Sequence, residues 1–174
     1  MLQAAPLLAA RLALCAAATC TLAAAAAQAA TLPYTATLGT CTPANLPTLQ
    51  YDLKLTNGAV RKAGRNPPSS LYYCDVPIDQ LTATPTYTHL QLQYIDKNTS
   101  GNGHVMARLM RKHLQTGVAS EVARVLSVPS ASLRTVSVAL PSALDLRSYD
   151  VYVIVSLTSP LAEVEAHTVR LVTR

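Results

Sequence analysis

His89-Leu90-Gln91-Leu92-Gln93-Tyr94-Ile95 alternates apolar and polar residues, with Leu90, Leu92 and Tyr94 on one parity and Gln91 and Gln93 on the other. Successive side chains of a strand point to opposite faces of a sheet, so this stretch reads as a strand with one face on a core and one in water. The same period recurs in Leu49 to Leu55, where Tyr51, Leu53 and Leu55 oppose Gln50, Asp52 and Lys54. It recurs again in Leu133 to Leu140, where Leu133, Thr135, Ser137 and Ala139 oppose Arg134, Val136, Val138 and Leu140. Val151-Tyr152-Val153-Ile154-Val155 is nearly all apolar, the pattern of a central strand covered on both sides.

Outward from these, Tyr34 to Leu38, Leu71 to Val76, His104 to Lys112, Glu121 to Val128 and Val164 to Val172 are further strand-length pieces. Prolines (Pro33, Pro43, Pro47, Pro67, Pro68, Pro77, Pro85, Pro129, Pro141, Pro160) and the turn-like Asn57-Gly58 and Gly101-Asn102-Gly103 separate the pieces. The expected fold class is all-β, an antiparallel sandwich or jelly roll of about eight or nine strands. Ala107 to Leu126 is the ambiguous segment, because its Leu, Met, Arg, Ala and Glu favour helix. Gly117 after Gln115-Thr116, with the β-branched Val118, Val122, Val125 and Val128, favours two strands joined at Gln115 to Gly117 instead. Two loops stand out: a long basic one from Gly58 to Ser70 carrying Arg61, Lys62 and Arg65, and a polar hairpin tip at Lys97 to Gly103.

The first thirty residues have a different character. Arg11 precedes an apolar Leu/Ala run from Leu12 to about Ala27, and a small-residue exit follows at Ala27-Gln28-Ala29. That is the layout of a secretory signal cut before Ala30 or Thr31, and the run is too short for a transmembrane anchor. Lipidation at Cys20 fits poorly, because Thr19 stands where a small Gly, Ala or Ser is usual. The expected organisation is a signal peptide at 1–30 and one domain at 31–174, secreted or periplasmic, with no transmembrane segment in the mature chain. Removing Arg11 leaves 13 Lys and Arg against 9 Asp and Glu, a net charge of +4. The charges are scattered rather than blocked, so nucleic acid is not the expected partner; an acidic polymer or cell-surface component suits the balance better. Cys41 and Cys74 are the cysteines that survive cleavage, and an exported pair is expected to bond.

Chemistry-bearing motifs are missing. His89, His104, His113 and His167 each fall in or beside a predicted strand, without His-Glu-x-x-His, Cys-x-x-Cys or a calcium-loop pattern, so neither a metal nor a cofactor is expected. Gly-x-Ser-x-Gly and phosphate-binding glycine arrays are also absent. Asp75, Asp79, Asp96, Asp145 and Asp150 are candidate acids for glycosidase chemistry, but most sit beside turns, where aspartate bonds its own backbone.

Arg108, Arg111 and Lys112 form the candidate anionic-ligand surface. In a strand Arg108 and Lys112 share a face with His104, while the plain alternative is a surface strand guarded by charge. The chain has no Trp and no Phe, so only tyrosines offer rings to a sugar; of the adjacent Tyr72 and Tyr73, one must face the core and the other face out. Asn98-Thr99-Ser100 matches a glycosylation acceptor at what reads as an exposed turn, and otherwise is a polar turn.

The runs Leu71-Tyr72-Tyr73-Cys74, His89 to Asp96, Val105 to Lys112 and Tyr149 to Thr158 together resemble small uncharacterised secreted proteins of proteobacteria. That resemblance implies a β-sandwich and carries no activity or site residues with it. Two function classes follow from the residues. The first is a non-enzymatic binding or structural module outside the cytoplasm. Its pilin-like version is disfavoured because Thr168 to Arg174 lacks the aromatic that usually ends such a subunit. The second is a secreted hydrolase whose site is assembled from distant residues, with His104, His113 or His167 beside an acid and a serine.

Overall fold

The alternation at His89–Ile95 is laid down as the second-innermost strand of a two-layer sandwich. The computed structural model describes residues 33–44, 53–62, 69–77, 86–99, 103–159 and 163–173. Their strands are β1 (Tyr34–Thr37), β2 (Thr42–Pro43), β3 (Leu53–Thr56), β4 (Ala59–Lys62), β5 (Ser69–Asp75), β6 (His89–Asp96), β7 (His104–His113), β8 (Ala119–Leu126), β9 (Ser130–Ala139), β10 (Tyr149–Thr158) and β11 (Val164–Val172), with one 3-10 turn at Leu38–Thr40. A six-stranded sheet runs β3-β4-β11-β6-β9, with β1 also on β11, and a five-stranded sheet runs β2-β5-β10-β7-β8. Every pairing is antiparallel.

Parity decides what is buried. Leu90, Leu92 and Tyr94 of β6 point inward to meet Val105, Ala107 and Leu109 of β7 and Val151, Val153, Val155 and Leu157 of β10. Tyr72 is 4% exposed and its neighbour Tyr73 38%, the split that adjacent strand positions require. Burial pushes the Tyr72 phenol up to about 12, so it remains protonated within the core. Cys41, between the 3-10 turn and β2, is bonded to Cys74 of β5, the position that faces it across the β2–β5 pairing.

One end of the sandwich has a polar interior. Asp96 is 1% exposed and accepts hydrogen bonds from Ser127 Oγ at 2.6 Å and from the Asn98 amide at 3.0 Å. Ser127 Oγ in turn accepts the Val105 N–H at 2.8 Å, so a carboxylate on one sheet is joined to backbone of the other. The register sets Lys62, also buried, and Asp96 on either side of Val164.

Three expectations require correction or resolution. Ala107–Leu126 forms strands β7 and β8, not a helix. His113 N–H donates to Val118 O at 2.9 Å and Gly117 N–H to His113 O at 2.8 Å, closing a turn in which Gly117 has φ +71°. The basic loop at Gly58–Ser70 contains β4 and the start of β5, while its middle lies outside the described residues. The reason is the Asn57-Gly58 turn, with φ 52° and 78°, which folds β4 back on β3 as a hairpin. Asn98 is not at an accessible turn: it is 1% exposed, and a Cβ on Gly103 would lie 2.1 Å from its Nδ2, so a glycan has no room there in the folded chain. The expected signal segment, Asp79 and all of Leu49 to Asp52 lie outside the described residues, and no described helix is long and apolar enough to cross a membrane.

Candidate functional site

Residues paired across a sheet share a face, so the register of β5, β10, β7 and β8 writes out the outer surface of the five-stranded sheet row by row. One row is Leu71, Ser156, Met106 and Leu126; the next is Tyr73, Ile154, Arg108 and Arg124; the third is Asp75, Tyr152, Met110 and Glu121. Beyond these, Asp150, Lys112 and Ala119 close one end, and Ser69, Thr158 and His104 close the other. The surface is thus a band of apolar and aromatic side chains crossed by two arginines and bordered at one end by the acids Asp75, Glu121 and Asp150.

Within it, the Tyr73 and Tyr152 rings stand 6.2 Å apart at 42° to each other, a tilted pair on diagonal positions of neighbouring strands. Leu126 at the edge is 48% exposed. Ile154 and Ser156 beneath are buried although they point outward, because β10 is central and the longer side chains beside it close over them. Arg124 is held by Glu121 through two hydrogen bonds of 2.9 and 3.0 Å. Among the described residues Arg108 has no such carboxylate: its Nε is buried without a hydrogen-bond partner there, as is Ser156 Oγ beside it.

The three basic residues singled out in the sequence are therefore divided. Arg108 and exposed Lys112 share this outer face with His104, as strand parity requires. Arg111 lies on the inner side, level with Val151, where its guanidinium sits 4.7 Å over the Tyr149 ring and its Nε donates to Ser120 Oγ at 3.0 Å. What the sequence reading missed is Tyr152, hidden in an apolar run. The available signal was its parity, opposite to Val151, Val153 and Val155.

The histidines are dispersed. His167 sits where the register of β11 shifts, its Nε2 3.3 Å from Glu165 Oε2; His113 accepts the Gln115 and Thr116 amides and packs edge-on to Tyr149 at 5.1 Å. His104 opens β7 on the other end of its face from Lys112. Asp145 binds the Arg147 and Ser148 amides of its own turn, and hydrogen bonding from the Ser148 side chain, then from those amides, holds its carboxyl below the usual range. Among the described residues, no three His, Cys, Asp or Glu cluster as metal ligands.

No family model and no curated protein matches the sequence. Among solved structures, the chain is similar to a family 29 carbohydrate-binding module (TM-score 0.38, 10% identity, covering 80% of this chain and 75% of that one). It is similar also to a structure described as CBM4 (0.32, 9%, 79% and 81%) and to a family two carbohydrate esterase from Cellvibrio japonicus (0.39, 9%, 82% and 33%). The likeness is loose, and no ligand or chemistry transfers with it.

Proposed function

We propose that this chain is a non-enzymatic binding module that works outside the cytoplasm and lays an acidic polysaccharide along the outer face of its five-stranded sheet. The observation that carries the reading is the Tyr73–Tyr152 ring pair beside Arg108, whose buried Nε has no hydrogen-bond partner among the described residues. Ring faces pack against the apolar C–H faces of sugars, and a guanidinium takes a carboxylate or sulfate through paired N–H donors. The face rests on paired strands rather than loops, so binding costs little ordering. The positive formal charge of the chain favours an acidic polymer over a neutral one. The disulfide suits an oxidising compartment.

Affinity electrophoresis and calorimetry with polygalacturonate, heparin and neutral dextran test this directly. Tyr73→Ala, Tyr152→Ala and Arg108→Ala are each expected to weaken binding to an acidic polymer about tenfold or more, in line with a lost aromatic or charged anchor of ~1.4 kcal/mol or above. Arg111→Ala is expected to leave it within about twofold. Equal retention of folded wild type and all three variants by the acidic polymers, or preference for dextran, would overturn the reading.

A further inference from the structure

Charge on the outer face of the five-stranded sheet is uneven once its pairs are assigned. Arg124 is held twice by Glu121, and exposed Lys112 stands opposite exposed Asp150 across the β10–β7 pairing, so within each of these pairs the charges offset one another. Two groups remain uncompensated among the described residues. One is Arg108, with its unbonded Nε; the other is Asp75, which is exposed and forms no ion pair there. The charge of Asp75 is felt by its surroundings: burial, and after it the Asp75 carboxylate, pushes the Tyr34 phenol up to about 12.

The two groups lie on opposite sides of the tyrosine rings. Asp75 is paired with Tyr152 across β5 and β10 and stands two residues from Tyr73 along β5, so it borders both rings. Arg108 is paired with Ile154, the same residue that Tyr73 faces from the other side. It is also diagonal to Tyr152, whose partner on β7 is Met110. Directly opposed side chains start about 5 Å apart and diagonal ones about 7–8 Å apart, so both charges are within reach of a molecule lying on the rings. Ile154 is 8% exposed and forms an apolar floor between Tyr73 and Arg108. The face therefore has a direction: an acid, two rings, an apolar floor, a cation.

We infer that this face selects a polysaccharide in which neutral and acidic sugars alternate, over one that is acidic at every unit. The inference rests on the reading of the face as a site for acidic polysaccharide and adds the charge pattern that the site prefers. A sugar laid on the rings brings its substituents against Asp75. A carboxylate there meets a like charge, whereas a hydroxyl or an amide can donate to it. The next sugar toward β7 comes within reach of the Arg108 guanidinium, which receives a carboxylate through its N–H donors. A uniformly basic groove reads charge density alone. A cation and an acid on opposite sides of one ring pair read charge spacing, by attracting at one place and repelling at the other.

The test is calorimetry of the folded, disulfide-bonded protein with three hexasaccharides at physiological ionic strength, which screens the long-range pull of the chain's net charge. The probes are a hyaluronan fragment, with a carboxylate on every second sugar, hexagalacturonate, with one on every sugar, and chitohexaose, which is neutral and shares the N-acetyl sugar of hyaluronan. The hyaluronan fragment is expected to bind about tenfold or more tightly than either of the others. Asp75→Asn is expected to raise the affinity for hexagalacturonate about threefold or more and so to narrow the gap between the two acidic probes. Hexagalacturonate bound as tightly as hyaluronan by the wild type, or a gap left unchanged by Asp75→Asn, would overturn the inference and leave the acidic-polysaccharide reading standing. Chitohexaose bound as tightly as the acidic probes, or no binding of any of the three, would overturn both. The wild-type comparison needs no variant, and the Asp75 group that accepts the Tyr34 hydroxyl is its backbone carbonyl, which Asp75→Asn retains.

Discussion

Asp96, Ser127 and Val105 show how one hydroxyl can join two sheets. Ser127 Oγ donates to a buried carboxylate and accepts a buried amide, so deleting it strips a partner from both. Each loss carries a desolvation penalty of about 1–3 kcal/mol, and Ser127→Ala is expected to lower unfolding stability by roughly 2–3 kcal/mol in urea titrations. A loss below ~0.5 kcal/mol would show that the contact is not maintained in solution. Nothing in the sequence announces this contact. Asp96 reads there as one more acid beside a turn, and its partner lies 31 positions away on the other sheet. The split of Tyr72 and Tyr73 was legible, because parity is local; which residue meets which across strands is set by register, and local pattern does not contain it.

Among elements, the β3–β4 hairpin turns on Asn57-Gly58, where both residues have positive φ. Asparagine tolerates that region and glycine is at ease in it, whereas a β-branched side chain is strained by about 1–2 kcal/mol. Gly58→Val is accordingly expected to lower stability by that amount, and Asn57→Gly to change it by only a few tenths of a kcal/mol; thermal melts of the pair separate the two. The dipeptide was visible in the sequence as a turn. The strand after it was not, for β4 is four residues long, too short to show a period, and its last residue is a lysine that nonetheless faces inward. The β7–β8 pair was legible despite its helix-forming composition, since valines and a central glycine outweigh propensity where a sheet can bury them.

At the level of the whole molecule, the Cys41–Cys74 bond continues the β2–β5 pairing of the five-stranded sheet by one position and closes a long stretch of chain that includes the β3–β4 hairpin of the other sheet. The chain-entropy relation for a closed loop of 33 residues' separation puts its contribution at about 3–4 kcal/mol, so the double Cys41→Ser, Cys74→Ser variant is expected to lose that much in denaturant titration. Reduction of the wild type should reproduce the loss, and unchanged midpoints would refute it. The sandwich class and this bond were readable from alternation and from the one pair of cysteines beyond the first thirty residues. The layout of the outer sheet faces was not, because each is assembled from strands far apart in the chain. The strand β11 gives the same fact a temporal side. It pairs with β6 on one edge and with β4 and β1, end to end, on the other, so the earliest strands of the six-stranded sheet share their neighbour with the latest. A growing polypeptide holds β1, β4 and β6 without that common partner until Val164–Val172 has been synthesised. Completion of the sheet is therefore late and long-range, and the nascent chain stays threadable for most of its synthesis.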